Sequence, residues 1–207
     1  SNNARSENYN HRLNMRLEYN IDSSNTLSLR PQISFQDNSR LSSFLGKNYF
    51  TLNDPLNVTQ NNANSDNNGY TFSNDLLYRH RFSKRGRTIS LNVGTTLNDR
   101  SGEAYQFAQT QYFTGADTTQ TIDQQTISAS NGLTISPNLA YTEPVGKKGQ
   151  IQFNYSPSFN QNSSDRATNN RDSLSGDYTL PELLLSNRFD NKVTTHRAGA
   201  SYNLRAE

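Results

Sequence analysis

The chain has 207 residues, with 20 Lys and Arg against 18 Asp and Glu and a formal net charge of +2. Hydrophobic residues make up 31% and charged residues 18%, and mean hydropathy is −0.92, so Asn, Ser, Thr and Gln fill the remainder. This excludes a large conventional core, while 11 Tyr and 10 Phe are too many for a typical disordered chain. The absence of cysteine excludes disulfide scaffolds, thiolate metal sites and Cys nucleophiles. Near-neutral charge gives no push toward nucleic acid. No apolar run approaches the roughly 18 residues of a transmembrane helix. No signal-peptide pattern opens the chain, and its first residue is Ser rather than Met, so the segment is expected to be processed or cut from something longer.

Residues 1–8 carry no pattern and read as a disordered or added N-terminus. From Tyr9 the residues alternate. Leu13, Met15, Leu17, Tyr19 and Ile21 fall in one phase, with Arg12, Asn14, Arg16, Glu18 and Asn20 between them. Successive strand side chains point to opposite faces, so this is a strand with one apolar and one polar face. Residues 22–25, Asp-Ser-Ser-Asn, are turn formers. A second strand sets Leu27, Leu29, Ile33 and Phe35 against Ser28, Arg30, Gln32 and Ser34. Alternation resumes at Tyr70, with Phe72, Leu76, Tyr78 and Phe82 opposite Asp75, Arg79 and Arg81. After the short turn 84–87, Ile89, Leu91, Val93 and Leu97 alternate with Ser90, Asn92, Thr96 and Asn98. A fifth strand carries Ile127, Leu133, Ile135, Leu139 and Tyr141 and ends in the turn 143–149. The sixth carries Ile151, Phe153, Tyr155 and Phe159, and the seventh Ala198, Ala200, Tyr202 and Leu204.

Connections alternate. Short ones (22–25, 84–87, 143–149) are followed by long polar ones, about 43–69, 99–120 and 160–190. The fold class is therefore all-β: an antiparallel up-and-down meander of long amphipathic strands, part of an outer-membrane β-barrel spanning 9–205. Two other architectures share the alternation. One is a soluble secreted β-sandwich or adhesin-like binding module. The other is a small closed eight-stranded barrel of structural role, with its extra strand hidden in 103–113. Loop alternation and strand length favour the larger barrel. In that barrel Leu13, Leu17, Leu27, Leu29, Ile33, Leu76, Leu91, Val93, Leu133, Ile135, Ile151 and Phe153 face lipid. Arg12, Arg16, Glu18, Arg30, Asp75, Arg79 and Arg81 face the lumen, where an excess of Arg biases a pore toward anions but Glu18 and Asp75 oppose it. Tyr19, Phe35, Tyr78, Phe82, Tyr141 and Phe159 read as interfacial girdles. Pro31, Pro137 and Pro157 sit in the apolar phase and fit a central strand badly; they mark either bulges or the height where strand pairing thins.

The phrases running Arg16 to Asn25, Leu29 to Phe35 and Arg197 to Arg205 resemble the barrel portion of outer-membrane β-barrel proteins of the TonB-dependent-receptor type. The resemblance implies a receptor or transporter for nutrient uptake in the outer membrane of a Gram-negative bacterium. It also implies a plug domain, a periplasmic energy-coupling partner and, since closed barrels of this kind have even strand numbers, further strands of a larger barrel. No plug is recognisable in this sequence.

No catalytic, metal or cofactor site is expected. His11, His80 and His196 lie in the apolar phase at different distances from their turns, and no Gly-x-Ser-x-Gly elbow occurs. The runs Asn53-Asp54 and 66–69 lack the spacing of a calcium loop, and sequons at Asn57 and Asn162 are frequent by chance in an Asn-rich chain. Lys84, Arg85, Arg87, Lys147 and Lys148 read as solvated turn cations.

Overall fold

A computed structural model describes residues 1–51, 54–113, 118–146 and 148–204. Asn53, Lys147 and Arg205 lie outside the described residues. The strands are β1 (Asn2–Asn14), β2 (Leu17–Asn20), β3 (Asn25–Thr51), β4 (Asp54–Arg81), β5 (Thr88–Tyr112) and β6 (Thr118–Val145). They continue with β7 (Gly149–Tyr155), β8 (Ser158–Asn170), β9 (Leu180–Pro181), β10 (Asn187–Thr195) and β11 (Ala198–Leu204).

All belong to one antiparallel sheet. The strands line up in seven consecutive rows. β1 and β2 share the first row against β3, β7 and β8 share the sixth against β6, and β10 and β11 share the seventh. Among the described residues no second sheet covers this one, and no hydrophobic side chain is buried. That overturns the sandwich reading, whose core needs two facing sheets. No described residue of the first row pairs with the seventh, and the stretch 103–113 is the outer end of β5 rather than a row of its own. The closed eight-stranded barrel therefore falls too.

Two further expectations are corrected. Residues 1–8 are the start of β1, paired from Asn2↔Phe44 to Asn14↔Gln32. The connections read as long loops are mostly strand. β3 runs to Thr51, β4 starts at Asp54, and β5 and β6 pair as far as Tyr112↔Thr118. Among the described residues only the third long connection contains substantial non-strand chain, in 171–186 around the two-residue β9. The physical reason is simple. Where both faces of a strand meet water, alternation has nothing to sort, so such a strand looks like a polar loop.

The three prolines account for the broken rows. Pro31 has no N–H to give the first row. That row is interrupted at Met15 and Arg16, and Met15 N–H donates to the Pro31 carbonyl at 3.0 Å. Pro157 separates β7 from β8, and by register it stands opposite Pro137 on β6. The seventh row breaks beside it at His196 and Arg197. There only the pair Ser156–Arg197 keeps the ladder, with N···O distances of 2.8 and 3.3 Å.

The short turns are built by their own side chains. Asp22 accepts from the backbone N–H of Ser24 at 2.7 Å and of Asn25 at 2.8 Å, and from Asn25 Nδ2 at 2.7 Å. These bonds hold its carboxyl below the usual carboxylate range. Gly86 has φ +87°, a left-handed conformation that glycine adopts without a Cβ clash.

Candidate functional site

Cross-strand partners share a face, so register assigns every side chain. One lateral line runs Leu17, Leu29, Leu76, Val93 and Pro137. The next line toward the short turns runs Tyr19, Leu27, Tyr78, Leu91, Leu139, Tyr155 and Ala198. On the other side, Leu13, Ile33, Phe72, Leu97 and Leu133 line up. Ile135 pairs with Phe159, Phe153 with Tyr141, and Ile151 with Glu143. All twelve residues read as lipid-facing thus share one face. That face is open: Leu13 is 67% and Phe153 51% exposed.

This apolar belt is not level with the register. From Tyr9 the line of partners passes through Asp37, Asn68, Ser101 and Ala129 to Asp165 on the sixth row. On that row the last large apolar residue of the face is Phe159, six residues lower (165 − 159). Six residues are about 20 Å of strand, and five row spacings are about 24 Å, so the belt is inclined by about 40°. Barrel strands tilt from the axis by about 35–45°. On the third row its apolar residues run from Tyr70 to Phe82, twelve residues (82 − 70), which is about 30 Å of height at that tilt.

Aromatic rings gather at its margins. Phe35 and Tyr70 meet at 6.3 Å on the upper side. Phe82 lies 4.5 Å from His80 and 6.4 Å from Tyr141 on the lower side. On the sixth row Phe159 ends the apolar face on the upper side.

The reverse face is polar and crowded. The buried polar side chains Ser28, Thr142 and Thr168 all belong to it. Gly132 shares this face, and a Cβ there would press on Asn98 Oδ1 and lie 2.6 Å from Asn162 Oδ1. Crowding on one face and openness on the other are the marks of a sheet curled with its polar side inward. Arg12, Arg16, Glu18, Arg30, Asp75, Arg79 and Arg81 all fall on this face by register. Arg16 pairs with Glu18, and Arg30 stands directly opposite Asp75. Sequence reading missed Arg40, Arg100 and Arg166, which occupy the same face above the belt, whereas Arg197, in the polar phase of the seventh strand, falls on it beside the proline break. Their phase was available by counting onward from Gln36, Asn98 and Ser158.

At the short-turn end, below the belt, Glu143 ties two neighbouring turns together. Lys84 Nζ donates to its Oε1 at 2.6 Å, Arg87 donates at 2.7 and 2.8 Å, and the Tyr141 hydroxyl donates to Oε2 at 2.7 Å. The Arg87, Lys84 and Tyr141 bonds hold the Glu143 carboxyl far below the usual carboxylate range. At the opposite end, the 171–186 segment folds onto the sheet. Tyr178 donates to Asp123 at 2.7 Å and packs 5.4 Å from Tyr105, whose hydroxyl donates to Glu103 at 2.5 Å.

The three histidines stay apart. His80 Nδ1 lies 2.7 Å from Asn25 Oδ1, His196 stacks on Tyr155, and His11 pairs with Phe35 on the first row. Among the described residues no three His, Asp or Glu side chains converge on a point that would hold a metal ion.

A single sheet with an inclined apolar belt, a polar reverse face and consecutive antiparallel rows defines the wall of a membrane β-barrel. A family model described as the outer membrane protein beta-barrel family matches residues 80–207, more than half of the chain, and the chain belongs to that family. Its setting is the outer membrane and its surroundings are membrane lipid. No curated protein matches the chain.

Proposed function

We infer that the chain forms part of an outer-membrane receptor or transporter for nutrient uptake in a Gram-negative bacterium, and that it is not an enzyme. The apolar face meets lipid. The polar face lines a wet lumen, where Arg12, Arg30 and Arg79 stay solvated without the cost of burying a charge. The observation that carries this reading is the inclination of the belt by about 40° to the register, which a lipid layer imposes on tilted strands and a soluble layered domain has no reason to follow. Both edge rows offer unpaired backbone groups, which lipid cannot satisfy, so the remaining strands of a larger barrel are expected to pair with them. A plug domain in the lumen and a periplasmic energy-coupling protein at the short-turn end complete the reading.

The test compares a strain lacking the whole protein with its parent under limiting carbon, iron or phosphate. Slower growth under one limitation, restored by the wild-type gene and abolished in both strains by a protonophore, is the expected result. Equal growth under every limitation would overturn the uptake role.

A further inference from the structure

We propose that the polar face above the belt is a binding wall for solutes carrying several anionic groups, phosphate, sulfate or carboxylate, held by Arg40, Arg100 and Arg166. The inference rests on reading that face as lumenal, and adds the substrate class.

The near-neutral total charge hides an uneven distribution of sign between the two faces. Above the belt, the outward face mixes Asp37, Asp66, Asp99, Glu103 and Asp165 with the cations Arg5, Lys47, Arg188 and Lys192. At the same heights the inward face carries these three arginines and, among the described residues, one carboxylate, Glu182, which stands opposite Thr168 and accepts from Asn170. The nearest inward acid on β4 is Asp75, six residues below Gly69, the partner of Arg100 (75 − 69). An anion is therefore drawn to the inward face, where arginines outnumber carboxylates, while the outward face mixes both signs.

The three guanidinium groups are placed by the sheet. Arg100 and Arg166 stand two rows and two residues apart, about 12 Å between Cα atoms. Arg40 and Arg100 stand two rows and four residues apart, about 16 Å. Arg100 lies over Gly69, where a Cβ would come 2.8 Å from its Cγ, so the glycine makes room for the arginine stem. It borders a hollow of about 440 Å³ lined otherwise by hydroxyl and amide side chains such as Gln36, Ser130 and Ser164. Arg40 and Arg166 together border a second hollow of about 310 Å³. Arginine presents a planar fork that grips phosphate, sulfate or carboxylate through two hydrogen bonds. Spacings beyond the reach of one small anion select a solute with several.

The probe is inorganic tripolyphosphate, titrated calorimetrically into the whole chain folded in lipid micelles, with neutral dextran as the control. The variant R40Q/R100Q/R166Q is expected to bind tripolyphosphate at least tenfold more weakly. R5Q/R188Q/K192Q removes three positive charges from the outward face and should stay within twofold of wild type. R40K/R100K/R166K should fall between them, because it keeps charge and loses the fork. Circular dichroism checks that each variant keeps its strand content; should the Gln triple lose it, the Lys triple carries the comparison. Equal loss in the inward and outward triples, or no tripolyphosphate binding by the wild-type chain, overturns the proposal. Labelling of Ser130→Cys by a membrane-impermeant maleimide in proteoliposomes separates the two readings. Labelling without anion binding sinks this inference alone, whereas absence of labelling removes the lumenal face itself.

Discussion

Leu76 is the sharpest place to ask whether the belt meets lipid. The apolar face of the third row runs from Tyr70 on β4 to Phe82, just past the strand's end at Arg81, and Leu76 stands six residues from either ring (76 − 70 and 82 − 76). At a tilt of about 40° that places it about 15 Å from each margin, close to the bilayer midplane. An arginine there should cost about 2–4 kcal/mol, a loss of about 30- to 700-fold in the folding constant. Tyr70→Arg, at the margin, should cost about 0–1 kcal/mol. Asn92→Arg, on the polar face one residue from Leu91, should cost little, since its side chain stays in water. The assay is urea titration of the chain folding into phospholipid vesicles, with intrinsic tyrosine fluorescence as the readout. A cost for L76R no greater than for N92R would refute the lipid-facing assignment. A cost equal to that of Y70R would refute the depth assigned from the tilt.

Glu143→Gln removes the carboxylate shared by Lys84, Arg87 and Tyr141, and faster hydrogen exchange is expected in both adjoining turns, 82–88 and 145–149. Because these partners lower the carboxyl's pKa from its ordinary value of 4.5, its contribution is complete above that pH. It is lost as pH falls through the lower folded value, so the wild-type advantage over E143Q should be flat through neutral pH and shrink only in acid. An advantage that shrinks above pH 6 would contradict this. Gly132→Ala should destabilise the sheet by about 1–3 kcal/mol, because the added methyl meets Asn98 and Asn162. Gly94→Ala, where the nearest atom to a Cβ is 3.6 Å away, should be near neutral, and equal costs in the same titration would show that the polar face is not crowded as described.

The belt was legible in the sequence because lipid and water sort side chains by parity. Leu27 to Phe35 alternate strictly, and β3 places them all on one face. The stretch 60–68 shows no such sorting. Asn, Gln, Ser and Ala fill both phases there, and the sequence reads as a loop although β4 passes straight through it. The arginines of the upper wall were hidden for the same reason, since each lies in or next to such a stretch. The inclination of the belt was hidden in another way. Strand tilt shifts the margins from row to row, and tilt is a property of the sheet that no single strand records. The role of the prolines needed partners as well. A missing N–H matters through the neighbour on the next row, and Met15 and His196 face Pro31 and Pro157 across 16 and 39 residues of sequence (31 − 15 and 196 − 157).

The strands beyond the belt also change what kind of mouth this wall has. From Phe35 to Thr51 the ladder continues for sixteen residues (51 − 35), about 40 Å of height at the inferred tilt. Flexible loops of that length would sweep through many shapes and would lose conformational entropy on gripping a visitor. A hydrogen-bonded palisade has already lost that freedom during folding. It is rigid in the plane of the sheet, so a push at its outer rim is carried to the belt as leverage rather than dissipated as loop motion. Under the proposed uptake role, such a rim is a fixed vestibule, and gating falls to another part of the assembly.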